Sequence, residues 1–421
     1  MRVILFTHTF LPTIGGRELV VHFLADALTR KGVDARVVGP SGARSARGLR
    51  LRYKVHRYPK LIEGGFASPK TGLRRRIWLE RQQSWLLRMD WRLFGADLIH
   101  AHTTYPAGYV AHRVCRNRIP VVITPHGTDI HEIPEIGHGL ALLPGVRDKI
   151  REALQNADAV TAISDSIRDV AQDQWKVPPE RVVRIDNGVD IHRFDAVTAA
   201  PVRKHFHIPA HSPIVLNVGN YTPRKGQDVL VRAAALLRRA VPEARVVIVG
   251  RGTDPLRQTI DELGLQDYVI LTGTLPIPSI GKANGSDLLG ALYAEATVVV
   301  SAGIAEGSEG LSLAILEGMA ARCPIVATEI SGNKDIVRPG YNGVLIPPGS
   351  ERELAQALIR LLQHPAQCET LAQGARKTAE EHSWDRIAEQ YIRTYESLLR
   401  RKGARMRLRT GEEHGPDHPA R

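Results

Sequence analysis

Acidic residues are the minority charge in this chain. Asp and Glu number 44 against 57 Lys and Arg over 421 residues, a formal net charge of +13 with His neutral. Cysteine is scarcer still. Cys115, Cys323 and Cys368 are too few and too far apart for a disulfide framework or a metal knuckle, which suits a reducing cytoplasm. Aromatic residues make up 5%, and no nucleic-acid reader motif accompanies the basic surplus, which argues against a nucleic-acid partner. No apolar run approaches the ~18 residues of a membrane span. The apolar start, Met1 to Phe10, is too short for a signal peptide and is cut off by Pro12, so it reads as a buried strand.

What is present is a globular composition, 43% hydrophobic and 24% charged, on a chain too long for one compact core. Strand and helix signals alternate. Strands are expected at Arg2 to Thr7, Ala35 to Val38, Asp97 to His100, Pro120 to Thr124, Ala159 to Ala162 and Val182 to Ile185, with a helix at Arg17 to Arg30. This is the pattern of an open parallel sheet covered on both faces, residues 1–190. Turn and proline signals through Pro201 and Pro209 mark 191–212 as a linker. Alternation then resumes over 213–378 as a second parallel sheet, with strands at Ile214 to Val218, Arg245 to Val249, Val269 to Thr272, Val298 to Val300 and Ile325 to Ala327. A capped amphipathic helix is expected from Ser383 to Leu399, within 379–400, and 401–421 reads as a basic, disordered tail.

Ligands of such sheets bind at the carboxyl ends of the strands. The most informative stretch, Ala305 to Ala327, lies at such an end. Its polar start, Glu306-Gly307-Ser308-Glu309-Gly310, gives way at Leu311 and Ser312 to an apolar helix that stops before Pro324. The amides of Gly310, Leu311 and Ser312 and the helix dipole would form an anion site, with glycines allowing close approach. Glu309 and Glu317 flank it, up to ~12 Å apart if the intervening residues are helical. That distance can straddle a diphosphate. Glu317 falls in an apolar run, where a charge without a ligand would be costly.

Three more loops follow strands. Gly15-Gly16 stands between the first strand and the first helix, with Glu18 just beyond. His126-Gly127-Thr128-Asp129 follows an apolar strand and points an imidazole out of the sheet edge. Gly219 to Gly226 offers Arg224 and Lys225, adjacent cations suited to a diphosphate.

The charge imbalance is local. Fourteen Lys or Arg lie between Arg44 and Arg92 against Glu63, Glu80 and Asp90. Trp78, Leu79, Trp85, Leu86, Met89 and Leu93 recur there at helical spacing, with Arg74, Arg81, Arg88 and Arg92 alongside. Such a stripe suits an anionic membrane surface, or equally a core face with solvated arginines.

In their order, these pieces resemble the family 4 glycosyltransferases of the GT-B fold, over nearly the full length from Arg2 to Leu399. The matching pieces are Gly15-Gly16 with Glu18, Asp97-Leu98-Ile99-His100-Ala101-His102, His126-Gly127-Thr128-Asp129, Ala162-Ile163-Ser164, Asn187-Gly188-Val189-Asp190 with Phe194, Lys225-Gly226, and Glu309 to Ala327. The resemblance implies an α/β architecture of two facing Rossmann-like, doubly wound parallel-sheet domains. A C-terminal helix would cross back to the first domain. It also implies retaining transfer of a sugar from a nucleotide sugar bound in the cleft. Glu309 would then contact the transferred sugar, Glu317 the ribose, Lys225 the diphosphate and His126 the sugar, while Gly16 approaches the donor phosphate. Glu18 and Asp129 would serve the acceptor, expected to be a lipid-linked or envelope glycan.

No cofactor beyond the donor is implied. Asp-x-Asp, the spacing that holds a divalent ion on donor phosphates, is missing, so no metal is expected. Three features depart from the family. Asn220 stands where an arginine is common, Gly332-Asn333-Lys334-Asp335 replaces Gly-x-x-Glu, and the loop Pro276 to Asp287 is long. An epimerase or hydrolase of the same fold would bind the same donor without an acceptor. The ordered motif set argues against it.

Overall fold

A computed structural model describes residues 1–40, 51–58, 71–134, 137–196, 201–277, 287–307 and 310–410. Glu309, most of the 276–287 loop, the 44–50 and 59–70 parts of the basic region, and the tail from 411 lie outside these residues.

The first sheet holds seven strands: β1 (Arg2–Thr7), β2 (Asp34–Pro40), β3 (Lys54–Tyr58), β4 (Leu98–His102), β5 (Val121–Thr124), β6 (Ala159–Ala162) and β7 (Val182–Arg184). The second holds six: β8 (Ile214–Val218), β9 (Arg245–Val249), β10 (Val269–Gly273), β11 (Val298–Ser301), β12 (Ile325–Thr328) and β13 (Gly343–Ile346). The orders are β3-β2-β1-β4-β5-β6-β7 and β10-β9-β8-β11-β12-β13, every pairing parallel. Segments such as Arg2–Thr7 and Arg245–Val249 form central strands because their apolar runs are buried on both faces by flanking helices. In each sheet the order reverses next to the first strand, between β1 and β4 and between β8 and β11. Such reversals open the crevices where ligands settle. The expected two-domain GT-B architecture is the one found.

β3 was not anticipated. Its sequence, Lys-Val-His-Arg-Tyr, is half exposed and sits at the sheet edge, so it carries little apolar signal. The first residues expected to form a linker instead fold into a short helix, Ile191–Asp195.

The C-terminal helix, Trp384–Thr410, is preceded by the helix Pro365–Glu381 and runs past the expected end at residue 400. It crosses back to the first domain. Val189 N donates to the His382 carbonyl at 2.9 Å and Trp384 N to the Val189 carbonyl at 3.2 Å. The Trp384 indole stacks on Phe23, ring centroids 6.0 Å apart. Farther along, Tyr391 and Tyr395 are buried beneath the first sheet, and Tyr395 Oη lies 2.7 Å from His100 Nδ1. Arg30 and Lys31 pair with Asp385 and Glu389 on the outer side of this seam. Among the described residues no helix is long and apolar enough to cross a membrane.

Trp384 is buried between two domains, so truncation removes a large apolar contact from both. Trp384→Ala is expected to lower the unfolding free energy by about 3 kcal/mol in urea titrations, with Trp384→Phe losing much less.

Candidate active site between the two sheets

The parallel register brings Thr7, His102 and Thr124 into one row at the carboxyl ends of β1, β4 and β5. Loops leaving that row build one wall of the cleft. After β1 the chain passes Thr9 and reaches Gly15 and Gly16 at the start of the helix Gly16–Arg30. Glu18, in the first turn, bends back to accept from the Thr9 hydroxyl, and its carboxylate lies where a Gly15 side chain would stand, 2.6 Å from an ideal Cβ. Open space surrounds the Gly16 Cα, with nothing within 4 Å of an ideal Cβ. Glu18, expected on the acceptor side, is buried and holds this loop.

Arg17 escaped the sequence reading. Its Nη2 donates to Thr9 Oγ1 at 2.7 Å and pairs with Glu18 at 3.2 Å, while its buried Nε has no partner. Its only sequence signal was its place beside Gly16.

His126 follows β5. Its backbone N donates to Asp129 at 2.8 Å, and the other Asp129 oxygen accepts from Thr104 N at 2.6 Å. Asp129 is thus turned inward and fixes the loop rather than presenting its carboxylate to the cleft. Burial raises its pKa, although the two N–H groups oppose this. The His126 ring is half-buried, with Nε2 3.2 Å from His102 Nδ1. His102 lies in turn against His100, the rings tilted with centroids 4.3 Å apart, and His100 is held by Tyr395 and by Thr124 at 2.6 Å. Three imidazoles this close together, two of them fully buried, cannot all be charged. Burial first, then neighbouring positive charge, takes His102 down to about 3 and holds His100 and His126 well below 6.5. At neutral pH His126 is an uncharged hydrogen-bonding group.

The second domain supplies the facing wall. The helix at the end of the glycine-rich stretch is Leu313–Ala320, shorter than expected, and its N-cap Ser312 makes no side-chain cap. Its first amides therefore lack intrahelical and capping partners. Gly310 lies against the first domain: a Cβ there would meet Ile163 at 2.9 Å and the His126 carbonyl at 3.5 Å. A Cβ on Gly127 would stand 3.8 Å from Gly310 N. Asn187 donates to the Leu311 carbonyl at 2.9 Å, tying the same turn to the first domain. The His126 loop and the helix N-terminus are thus brought together.

Arg224 and Lys225 occupy the turn Pro223–Lys225 beyond β8. The Arg224 carbonyl accepts from Ile304 N at 3.0 Å, so this basic loop packs against the segment that leads into Gly310. Gly226 allows it, since a Cβ at its φ of +64° would fall 1.8 Å from the Ala302 carbonyl oxygen. Lys225 folds back over Gly219, Nζ 3.1 Å from where a Cβ would be. Asn220 accepts from Arg251 N at 3.1 Å and reaches across to the Ile14 carbonyl at 3.5 Å. It bridges the domains where the family's arginine would carry charge.

Glu317 corrects one expectation. It is buried, but it is not a charge in want of a ligand: Arg193 Nη1 lies 3.3 Å away and Tyr293 Oη donates at 2.9 Å. Arg193 is itself gripped by both oxygens of Asp287, at 2.7 and 3.0 Å. Burial raises the Glu317 pKa, with Arg193 and Tyr293 opposing. The cost of burial is therefore met within the chain, and burial alone does not argue for a ribose. Arg193 was missed because it falls in the segment read as linker. The Gly332-Asn333-Lys334-Asp335 variation also acts between domains, Asp335 accepting from Asp165 N at 2.6 Å and pairing with Arg184 at 3.1 Å.

Comparison with known proteins identifies the family. The model described as Glycosyltransferase Family 4 matches residues 14–193, and that described as Glycosyl transferases group 1 matches 212–364. A D-inositol 3-phosphate glycosyltransferase of Acidothermus cellulolyticus is 31% identical over 333 residues, 74% of this chain and 70% of that one. An alpha-D-kanosaminyltransferase of Streptomyces kanamyceticus is 29% identical over 388 residues, 85% of this chain and 93% of the relative. Among solved structures, sucrose-phosphate synthase from Thermosynechococcus elongatus superposes with a TM-score of 0.76 at 22% identity, covering 94% of this chain and 99% of that one. Anabaena HepE in complex with UDP and glucose gives 0.73 at 22% identity, covering 94% and 100%.

The histidine column sets a pH dependence. A histidine held below its ordinary pKa binds a proton more readily when unfolded, so stability is lost as pH falls below 6.5. Each such residue contributes a slope of up to ~1.4 kcal/mol per pH unit. Urea unfolding between pH 6.5 and 4 should show that decline, and His102→Asn should make it shallower.

Proposed function

Because the chain belongs to glycosyltransferase family 4, we propose that it moves a sugar from a nucleoside diphosphate sugar to a lipid-linked or envelope glycan acceptor, retaining the anomeric configuration and using no metal ion. The reading rests above all on the Gly310 to Ser312 turn. There an uncapped helix N-terminus faces the His126 loop, and the Arg224-Lys225 loop packs against the segment leading into it.

In this reading the diphosphate sits on the amides that open the Leu313–Ala320 helix and is neutralised by Lys225. Arg224 makes up for the charge absent at Asn220, and Gly16 admits the phosphate from the other wall. Departure of the nucleoside diphosphate builds negative charge on its phosphates while positive charge grows on the sugar ring. Fixed cations and amides favour that state over the ground state. The neutral His126 binds a sugar hydroxyl without opposing the developing ring charge, and Glu309, by family resemblance, does the same from the second domain. Arg193 and Tyr293 would orient Glu317 towards the ribose. HepE, solved with UDP and glucose, supports a nucleotide-sugar donor. One relative is named for the sugar it transfers and the other for its acceptor, so the two names define no common substrate pair.

Calorimetry with UDP-, GDP- and ADP-sugars in chelator tests the donor site. One nucleotide should bind selectively, and Lys225→Ala should weaken it about tenfold through loss of a charge-assisted contact. A folded protein that binds none of them would refute the reading. With donor and acceptor supplied, NMR of the product's anomeric proton distinguishes retention from inversion, and release of free sugar without transfer would mark a hydrolase.

A further inference from the structure

The Leu73–Phe94 helix is polar where it should be apolar and apolar where it should be polar. Its inward side buries Arg76, Glu80, Gln83 and Asp90 among Leu79, Leu87 and Phe94. The polar groups are partnered. Arg76 donates to the Pro144 carbonyl at 3.2 Å, Glu80 pairs with Lys149 and accepts from Tyr105 Oη at 2.6 Å, Gln83 donates to Tyr58 Oη at 3.0 Å, and Asp90 pairs with Arg36 and His56. The outward side carries Leu73, Ile77, Trp78, Trp85, Met89 and Leu93, with Trp85 61% and Leu93 78% exposed. Between them stand the exposed Arg74, Arg75, Arg81, Arg88 and Arg92. Both acids of the helix, Glu80 and Asp90, are turned inward.

A solvated helix places charges outward and apolar groups inward. This helix keeps both kinds outward and uses its inner face for ion pairs instead. The two alternatives in the sequence, a stripe packed on the core or a stripe facing out, divide along the helix: Trp78, Trp85, Met89 and Leu93 face out, Leu79 is buried, and Leu86 and Trp91 are half-buried against the core.

We propose that this face docks the protein on a bilayer rich in anionic phospholipid, with the helix lying in the interfacial plane. Trp, Leu, Ile and Met would enter the boundary between headgroups and acyl chains, while the arginines extend to the phosphates. Charge complementarity selects this occupant. A second copy of the same face would set five arginines against five with no acid on the helix surface to pair them. A nucleic acid would leave the aliphatic residues unburied.

The placement of the helix adds a functional consequence. Arg76 reaches Pro144, and Leu73 lies 3.3 Å from where a Cβ on Gly145 would be, whereas at the other end Arg2 donates to the Phe94 carbonyl at 3.0 Å. The helix therefore runs antiparallel to β1, and its first turns lie towards the carboxyl-end side of the sheet, where the Gly15-Gly16 and His126 loops open. Docking would hold the cleft rim close to the lipid surface, where a lipid-linked acceptor would be found. This last point rests on the proposed function; the docking itself does not.

Flotation of the full-length protein with phosphatidylglycerol-containing and pure phosphatidylcholine vesicles tests the proposal. Recovery should be about tenfold higher with the anionic vesicles and fall at high salt. Trp78→Ser with Trp85→Ser, and separately Arg81→Glu with Arg88→Glu, should each reduce it about tenfold while the thermal melt and nucleotide-sugar binding stay unchanged. Equal recovery on the two vesicle types would overturn the proposal, as would full recovery of both variants. Light scattering that reports a dimer lost in the tryptophan variant, with no vesicle binding by the parent, would assign the face to a second copy instead.

Discussion

Gly188 has no side chain because Trp384 leaves no room for one: a Cβ there would lie 2.6 Å from the indole. At this contact the chain leaving the first sheet touches the chain returning from the second, and the backbone bonds of Val189 with His382 and Trp384 close over it. Each sheet has its own apolar interior, but a cleft with fixed geometry requires the two to be held together. The seam does this with packing and backbone hydrogen bonds, both little affected by salt. Beside it His382 reaches Asp186 at 3.0 Å, where burial opposes the imidazole's charge but the carboxylate outweighs it, and the pKa is raised.

The charges around the cleft follow one logic. Groups that bind the domains together are paired with opposite charge: Arg193 with Asp287 and Glu317, Arg184 with Asp186 and Asp335. The histidine column is instead kept uncharged by burial. In the proposed function, the Arg224-Lys225 loop would then act on phosphates without a second positive centre competing from the histidine column. Arg17 is the exception, a guanidinium on the histidine side whose charge helps to keep His102 and His126 neutral.

Much of the fold was legible because central parallel strands are continuous apolar runs between turn residues. Arg2–Thr7, Ala159–Ala162, Ile214–Val218 and Arg245–Val249 were read to the residue. The edge strand Lys54–Tyr58 was not, because an edge needs no apolar face. The glycine loops of the site were visible because close approach leaves few alternatives to glycine, as at Gly15 and Gly226. Partners far apart in sequence were not visible. Nothing in the run around Glu317 announces Arg193, 124 positions earlier, and nothing in His126-Gly127-Thr128-Asp129 reveals that Asp129 turns back to Thr104.

The place of Tyr395 under the first sheet also concerns how the protein is made. His100 and Tyr395 are 295 positions apart, so the first domain leaves the ribosome lacking the side chains that complete its interior. At ~5–20 residues per second, about 15–60 s separate the synthesis of His100 from that of Tyr395. Until the second domain has been made, the nascent first domain lacks the helix that completes its interior. The part of the chain synthesised first is the last to be finished.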